Sequence, residues 1–449
     1  VISYTFAASQ GRQGLGINAK LFILVMLVAI FEGAFRKWGS PAFTNPLLLL
    51  RDVAALILVL RTWLSGRFRC MKAVTQALLA WSCCVVIWGM LQLIVLEGPL
   101  LLFVLGLRFW LLYLWFALAA ACSLSSREIV VAIRLLLVTS ICLAPLVIAQ
   151  HFLPPSSILN VQPDTEEDRI FRVAGDIVRT TGTFSFTLGF TCFLALVNPF
   201  VLSQTWAGRS LWRKGRIETI CMLGLIASTA VCGSRAAIIF FPILLSIKIL
   251  TSLTIAKSGR RLGGALLQAG MALIAIAVIG LIFNDAVVAT QERFALASDS
   301  EDVGARVFTI FAGEPEVRDQ ITLLGHGLGA GTNAGAVVRT GDRTTFALAE
   351  SEPARVLLEM GIVGLIWLVL KVMIVVIGLR RCWKQTRATG DPLPVLLWIS
   401  TGYAMTAMPI SGQISAHAFA YILLAFALAC SRGSDTLFRT APKRQLGAH

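Results

Sequence analysis

The chain has 449 residues, of which 57% are hydrophobic and 14% charged, with a formal net charge of +15 and a mean hydropathy of +0.80. Soluble domains carry about a quarter of their residues as charges, so this composition excludes a soluble globular protein. It also argues against a nucleic-acid partner, because the Lys and Arg residues sit in short connections between apolar runs rather than on one basic patch.

A hydrocarbon core about 30 Å thick needs about 20 apolar residues per helix. Lipid offers no backbone partners, so apolar runs of that length read as helices. No alternating segments of the membrane-barrel kind occur. In chain order the spans fall at 19–35, 46–62, 73–96, 98–122, 128–150, 182–203, 217–233, 236–256, 264–284, 353–379, 394–409 and 413–430. The expected fold is an all-α polytopic membrane protein of about twelve spans, one transmembrane domain over 1–449. The first apolar run leads straight into further spans, so no cleavable signal peptide is expected. The ten cysteines form no CxxC pair and read as small buried hydrophobes, without a metal site or disulfide framework.

Orientation follows from the connections. Arg61, Arg67, Arg69 and Lys72 share one; Arg209, Arg213, Lys214 and Arg216 another; Lys257, Arg260 and Arg261 a third; Arg380, Arg381, Lys384 and Arg387 a fourth. With twelve spans these connections, the basic C-terminal tail and the N-terminus share one side, which the positive-inside rule makes the cytoplasm. Two acidic loops then face outside. One is 151–181. The other, 285–352, is inserted between spans nine and ten and is long enough for a loop subdomain. Within it, Glu292–Phe308 and Glu316–Leu324 read as short helices, and Gly325–Gly331 as a tight glycine-rich loop.

Arginines on that outer side run against the bias, so each asks for a reason. Arg179 precedes the sixth span, Arg235 stands at a turn between two spans, and Arg306 lies in the long loop. A guanidinium grips phosphate oxygens with paired hydrogen bonds, and an anion at the membrane surface would account for all three. Glu350 and Glu352 open the tenth span, where a helix N-terminus favours carboxylates and a carboxylate can serve as a general base. Capping alone accounts for one acid there. His326 lies between two glycines as a base or hinge residue, but its Gly-x-Gly-x-Gly setting follows no strand and is no nucleotide fingerprint. Glu32 and Arg36 are spaced to pair along one helix face. Together with Lys37, Arg51, Asp52 and Arg108 they read as pairing groups inside the bundle.

Three stretches carry a resemblance: Arg179-Thr-Thr-Gly-Thr-Phe-Ser at the entry to a span, Ser234-Arg235-Ala-Ala at the next hairpin, and the long loop, with Arg306, Leu324–Gly331 and then Leu357-Leu-Glu-Met-Gly361-Ile-Val-Gly364. In this order they resemble the bacterial O-antigen ligases and O-antigen-type polysaccharide polymerases. The resemblance implies a bundle of the GT-C-like membrane glycosyltransferase type in the bacterial inner membrane, with a large periplasmic loop. It implies a polyprenyl-pyrophosphate-linked oligosaccharide donor, a glycan or lipid-linked acceptor, and no cofactor or metal. Arg179, Arg235, Arg306 and His326 would bind pyrophosphate, Arg306 acting in catalysis as well. The ligases' His-Asn pair before the matching glycine is absent; Glu350-Ser351-Glu352 stands there, so Glu350, then Glu352, is expected as base. An alternative is a transporter or flippase for an anionic lipid-linked glycan or solute. Another is a non-catalytic membrane component of a polysaccharide export complex.

Overall fold

All the apolar runs fold as helices. The computed structural model describes residues 14–161, 178–204, 216–255, 259–289, 319–332, 351–410 and 414–432, with positions 291, 317, 335 and 338 between. The helices are α1 (Ile17–Ala34), α2 (Thr44–Leu64), α3 (Lys72–Val95), α4 (Leu100–Leu107), α5 (Tyr113–Ser123), α6 (Ser126–Phe152), α7 (Thr187–Gln204), α8 (Arg216–Val231), α9 (Arg235–Ile255), α10 (Gly259–Ile282), α11 (Glu352–Thr389), α12 (Leu393–Ala407) and α13 (Ile414–Ser431). A π-helical turn, Arg108–Leu112, joins α4 to α5, so the two make one rod. Among the described residues there is no strand element.

Seven helical segments are long and apolar enough to cross a membrane: Ile17–Gly39, Arg67–Val95, Leu100–Ser123, Ser126–Phe152, Arg235–Ile255, Glu352–Thr389 and Ile414–Ser431. Thr187–Ser203, Ile217–Val231, Ala269–Ile282 and Leu393–Ala407 are apolar but shorter, and α2 holds Arg51, Asp52 and Arg61. Every apolar run read from the sequence therefore contains helix, though the expected span 182–203 becomes helical only from Thr187, and seven of the runs meet the length and hydropathy of a span. The bundle surface supports the same class: Leu64 is 85% exposed, Leu281 78% and Ile94 73%, a surface suited to lipid rather than water. All ten cysteines are free thiols.

The helix ends gather at two poles. At one, Arg61 Nε donates to Asn18 Oδ1, Arg67 Nη1 to Ser123 O and Arg432 Nη1 to Ala121 O. There too the α6 cap closes as a capping box, with Glu128 accepting from the backbone of both Ser125 and Gly16. This pole carries the basic connections after α2 and α13. At the other lie Lys37, Gln150, the loop 178–186 and, beside the far end of α3, the glycine-rich loop.

Buried charges are matched inside the bundle. Glu32 takes Arg51 at 2.9 Å, and Ser415 Oγ donates to its other oxygen. The expected Glu32–Arg36 pairing along one helix thus gives way to a partner on α2, since burial makes Arg51, fully enclosed, the charge that most needs a counterion. Arg51 Nε donates to the Tyr113 hydroxyl at 2.7 Å, which donates to Asp52 at 2.8 Å; Asp52 also pairs with Arg108.

The largest departure from the sequence reading lies in α11. Gly361, at φ 53° and ψ −122°, is not helical. Lys371 Nζ nevertheless donates to Glu352 Oε1 at 2.7 Å. A straight helix rises about 1.5 Å per residue and would hold these residues roughly 28 Å apart. The two arms must therefore fold back on each other at Gly361. Gly364 confirms this, since a β-carbon there would run into the carbonyl of Val356 eight residues earlier. The hairpin's opened backbone is satisfied by the glycine-rich loop: His326 N donates to Leu358 O at 2.7 Å, Gly327 N to Glu359 O at 3.3 Å, and Ile362 N to Leu323 O at 3.0 Å. Serving that role, residues 319–324 form turns and irregular chain, not the end of the expected helix Glu316–Leu324. The expected helix Glu292–Phe308 lies outside the described residues.

Candidate functional site

The loop 178–186 is held from four sides. Gln150 Oε1 accepts from Thr181 N at 3.2 Å and Gly182 N at 2.7 Å, while its Nε2 donates to Gly182 O and Leu159 O. Lys37 Nζ, buried at the end of α1, donates to Thr181 Oγ1 at 2.7 Å and Gly182 O at 3.1 Å. Thr183 Oγ1 donates to Ile30 O, and Thr180 Oγ1 to Val231 O. The last bond ties the loop to the α8–α9 hairpin. Sequence fits geometry here: Gly182 adopts φ 57°, a left-handed conformation that glycine takes without steric cost. Gly33 leaves room on α1 for the loop backbone, where any β-carbon would overlap Thr183 and Ser185.

This scaffold presents Arg179 beside Arg235, the first residue of α9. Burial lowers the Arg179 pKa from its ordinary value, and repulsion from the Arg235 guanidinium lowers it further. Two residues 56 positions apart are thus brought close enough for their like charges to interact. The second also stands at a helix N-terminus, where the aligned peptide dipoles favour an anion over a cation. Such an arrangement is suited to receive phosphate oxygens.

The other expected site residues lie elsewhere or outside the described chain. Glu352 is the first residue of α11, as expected, but the hairpin places it 2% exposed inside the bundle, against Lys371. His326 packs its backbone and Nδ1 against Leu358 O. Arg306 and Glu350 lie outside the described residues. Among the described residues no cluster of metal-ligating side chains occurs.

Several polar groups near these elements were given no role of their own in the sequence reading. Glu359, fully buried, accepts from Trp110 Nε1 at 2.6 Å and Gly331 N at 3.0 Å, and Arg355 Nη1 donates to Gly331 O. Gln92 Nε2 donates to Leu324 O and Glu359 O. His151 Nε2 meets Asp285 Oδ2 at 2.9 Å, one residue along from Gln150. The available signal was a polar residue in mid-span, which points to a bundle-facing partner. It names no partner.

The fold is that of a helical membrane protein, and Arg179 and Arg235 adjoin at one of its poles. No protein-family model matches the chain, and no characterised protein matches it in sequence.

Proposed function

We propose that the chain transfers a glycan from a polyprenyl-pyrophosphate donor to a sugar hydroxyl at the outer membrane face. The observation that carries this reading is the juxtaposition of Arg179 and Arg235 on a loop and a helix start braced by Lys37, Gln150 and Thr180. In this reading all twelve apolar helices span the membrane, both termini are cytoplasmic, and the arginine pole faces the periplasm. The departing pyrophosphate gains negative charge as the glycosidic bond breaks. Guanidinium groups fixed in advance stabilise that charge more in the transition state than in the bound donor. Arg306 joins them as a third contact. Glu350 takes the proton of the acceptor hydroxyl, because Glu352 is committed to Lys371. The product is inverted at the anomeric carbon, since a single displacement needs no covalent intermediate.

A transporter is the second reading, favoured by the broken α11 and by ion pairs inside the bundle. It ranks lower because those charges are matched in pairs.

The test is membranes carrying Arg179→Gln or Arg235→Gln, supplied with lipid-linked oligosaccharide. A glycosyltransferase accumulates unextended donor on the outer leaflet. Donor trapped on the inner leaflet would identify a flippase, and unchanged polymer in both variants a scaffold.

A further inference from the structure

A small chamber lies where the α11 hairpin meets α13 and the π-helical turn between α4 and α5. Its volume is about 10 Å³, and its walls include Glu352, His417, Tyr421 and the rings of Trp110 and Trp367. His417 is 3% exposed. Its Nδ1 lies 3.1 Å from Ile410 O. A carbonyl oxygen only accepts, so Nδ1 carries the proton, and Nε2 of the neutral ring is left as an acceptor. That Nε2 is buried and has no hydrogen-bond partner among the described residues. A buried acceptor without a donor is destabilising, and an ordered water is the usual remedy.

We propose that the chamber is a binding site for one structural water, which donates to His417 Nε2 and to the Glu352 carboxylate and accepts from the Tyr421 hydroxyl. The volume matches what a single water needs, roughly 10–15 Å³ with two to four polar partners. A metal cation is disfavoured because the Lys371 ammonium already stands 2.7 Å from Glu352. An anion is disfavoured by Glu352 itself. The water is a bridge: it fastens α13 to the first arm of α11, whose Glu352 is in turn held by the returning arm through Lys371. The inference does not depend on the glycosyltransfer reading.

The full chain in nanodiscs tests it in two ways. A high-resolution map should show an isolated peak at hydrogen-bond distance, about 2.7–3.2 Å, from both Nε2 and a Glu352 oxygen. X-ray footprinting in ¹⁸O-water should label Tyr421 or Trp367, the rings that line the chamber, and His417→Phe, which fills the space without offering an acceptor, should cut that labelling several-fold. An empty chamber, a direct Nε2–Glu352 contact, or equal labelling in wild type and variant would each overturn the proposal. If His417→Phe does not fold, the wild-type map alone decides.

Discussion

Replacing Lys371 by Met removes one half of a fully enclosed ion pair and tests the doubled-back path of α11 directly. The side chains of Lys371 and Glu352 are 2% and 1% exposed, so neither charge can turn to solvent when its partner is lost. Stranding one member of such a pair costs about 3–5 kcal/mol. Replacing both by similar-sized apolar residues is often neutral or stabilising. Lys371→Met and Glu352→Met alone should therefore each be strongly destabilising, while the double variant should recover most of the loss. The expected coupling is about 3 kcal/mol, at the upper end for contacting residues. Unfolding in mixed micelles of rising SDS fraction, followed by tryptophan fluorescence, supplies the four free energies. Losses that add to within about 0.5 kcal/mol would mean that the two residues do not touch, and the reversal at Gly361 would be refuted.

Gly361→Ala should abolish the reversal, because an alanine at φ 53° and ψ −122° is strained and its β-carbon would meet the Thr322 and Leu323 carbonyls; a loss of about 3 kcal/mol or more, read as a fall in thermal stability by detergent size-exclusion, is expected. Gln150→Leu should loosen the arginine loop, leaving the Thr181 and Gly182 amides unsatisfied at about 1–3 kcal/mol each. Faster hydrogen exchange at 180–183 would show it, and unchanged exchange would contradict the bracing argument. Arg179→Lys keeps the charge but loses the two-pronged grip; polymer output should fall at least tenfold while thermal stability stays within about 1 kcal/mol of wild type, and equal output would remove the case for phosphate recognition.

The sequence discloses the helices and leaves their partners open. A run such as that of α6 is apolar from end to end, and lipid physics allows it one secondary structure. Ser125 and Glu128, spaced for a capping box, mark its start. Partner choice depends on which helices are neighbours in space, which a hydropathy pattern does not encode. Glu32 and Arg36 have the right spacing for a pair, yet Glu32 takes Arg51, whose complete burial makes the longer-range contact decisive. Gly361 is the sharper case. Its neighbours Met360, Ile362 and Val363 continue an apolar helix, and a lone glycine in a span is ordinary. The reversal shows only in three dimensions, in the Gly361 dihedral angles and in Lys371 standing against Glu352. Arg179 and Arg235, by contrast, are legible one at a time as arginines out of place for the charge bias, and the fold adds that they adjoin.

The energetics separate scaffold charges from the candidate site. Glu32 with Arg51, Asp52 with Arg108 and Glu352 with Lys371 each neutralise one another across helices. Arranged so, they hold α1, α2, the α4–α5 rod and the α11 hairpin in register and leave little net field. At the loop pole the neighbours of interest are two arginines. Two guanidiniums are set close enough to repel, one of them at the helix end that already disfavours a cation. The loop that carries Arg179 is held in place by Thr180, Thr181, Gly182 and Thr183, which make hydrogen bonds to α1 and the turn after it, to α6 or to the end of α8. An anion bound there, as the proposed function requires, would be attracted by both guanidiniums without further rearrangement of the braced loop.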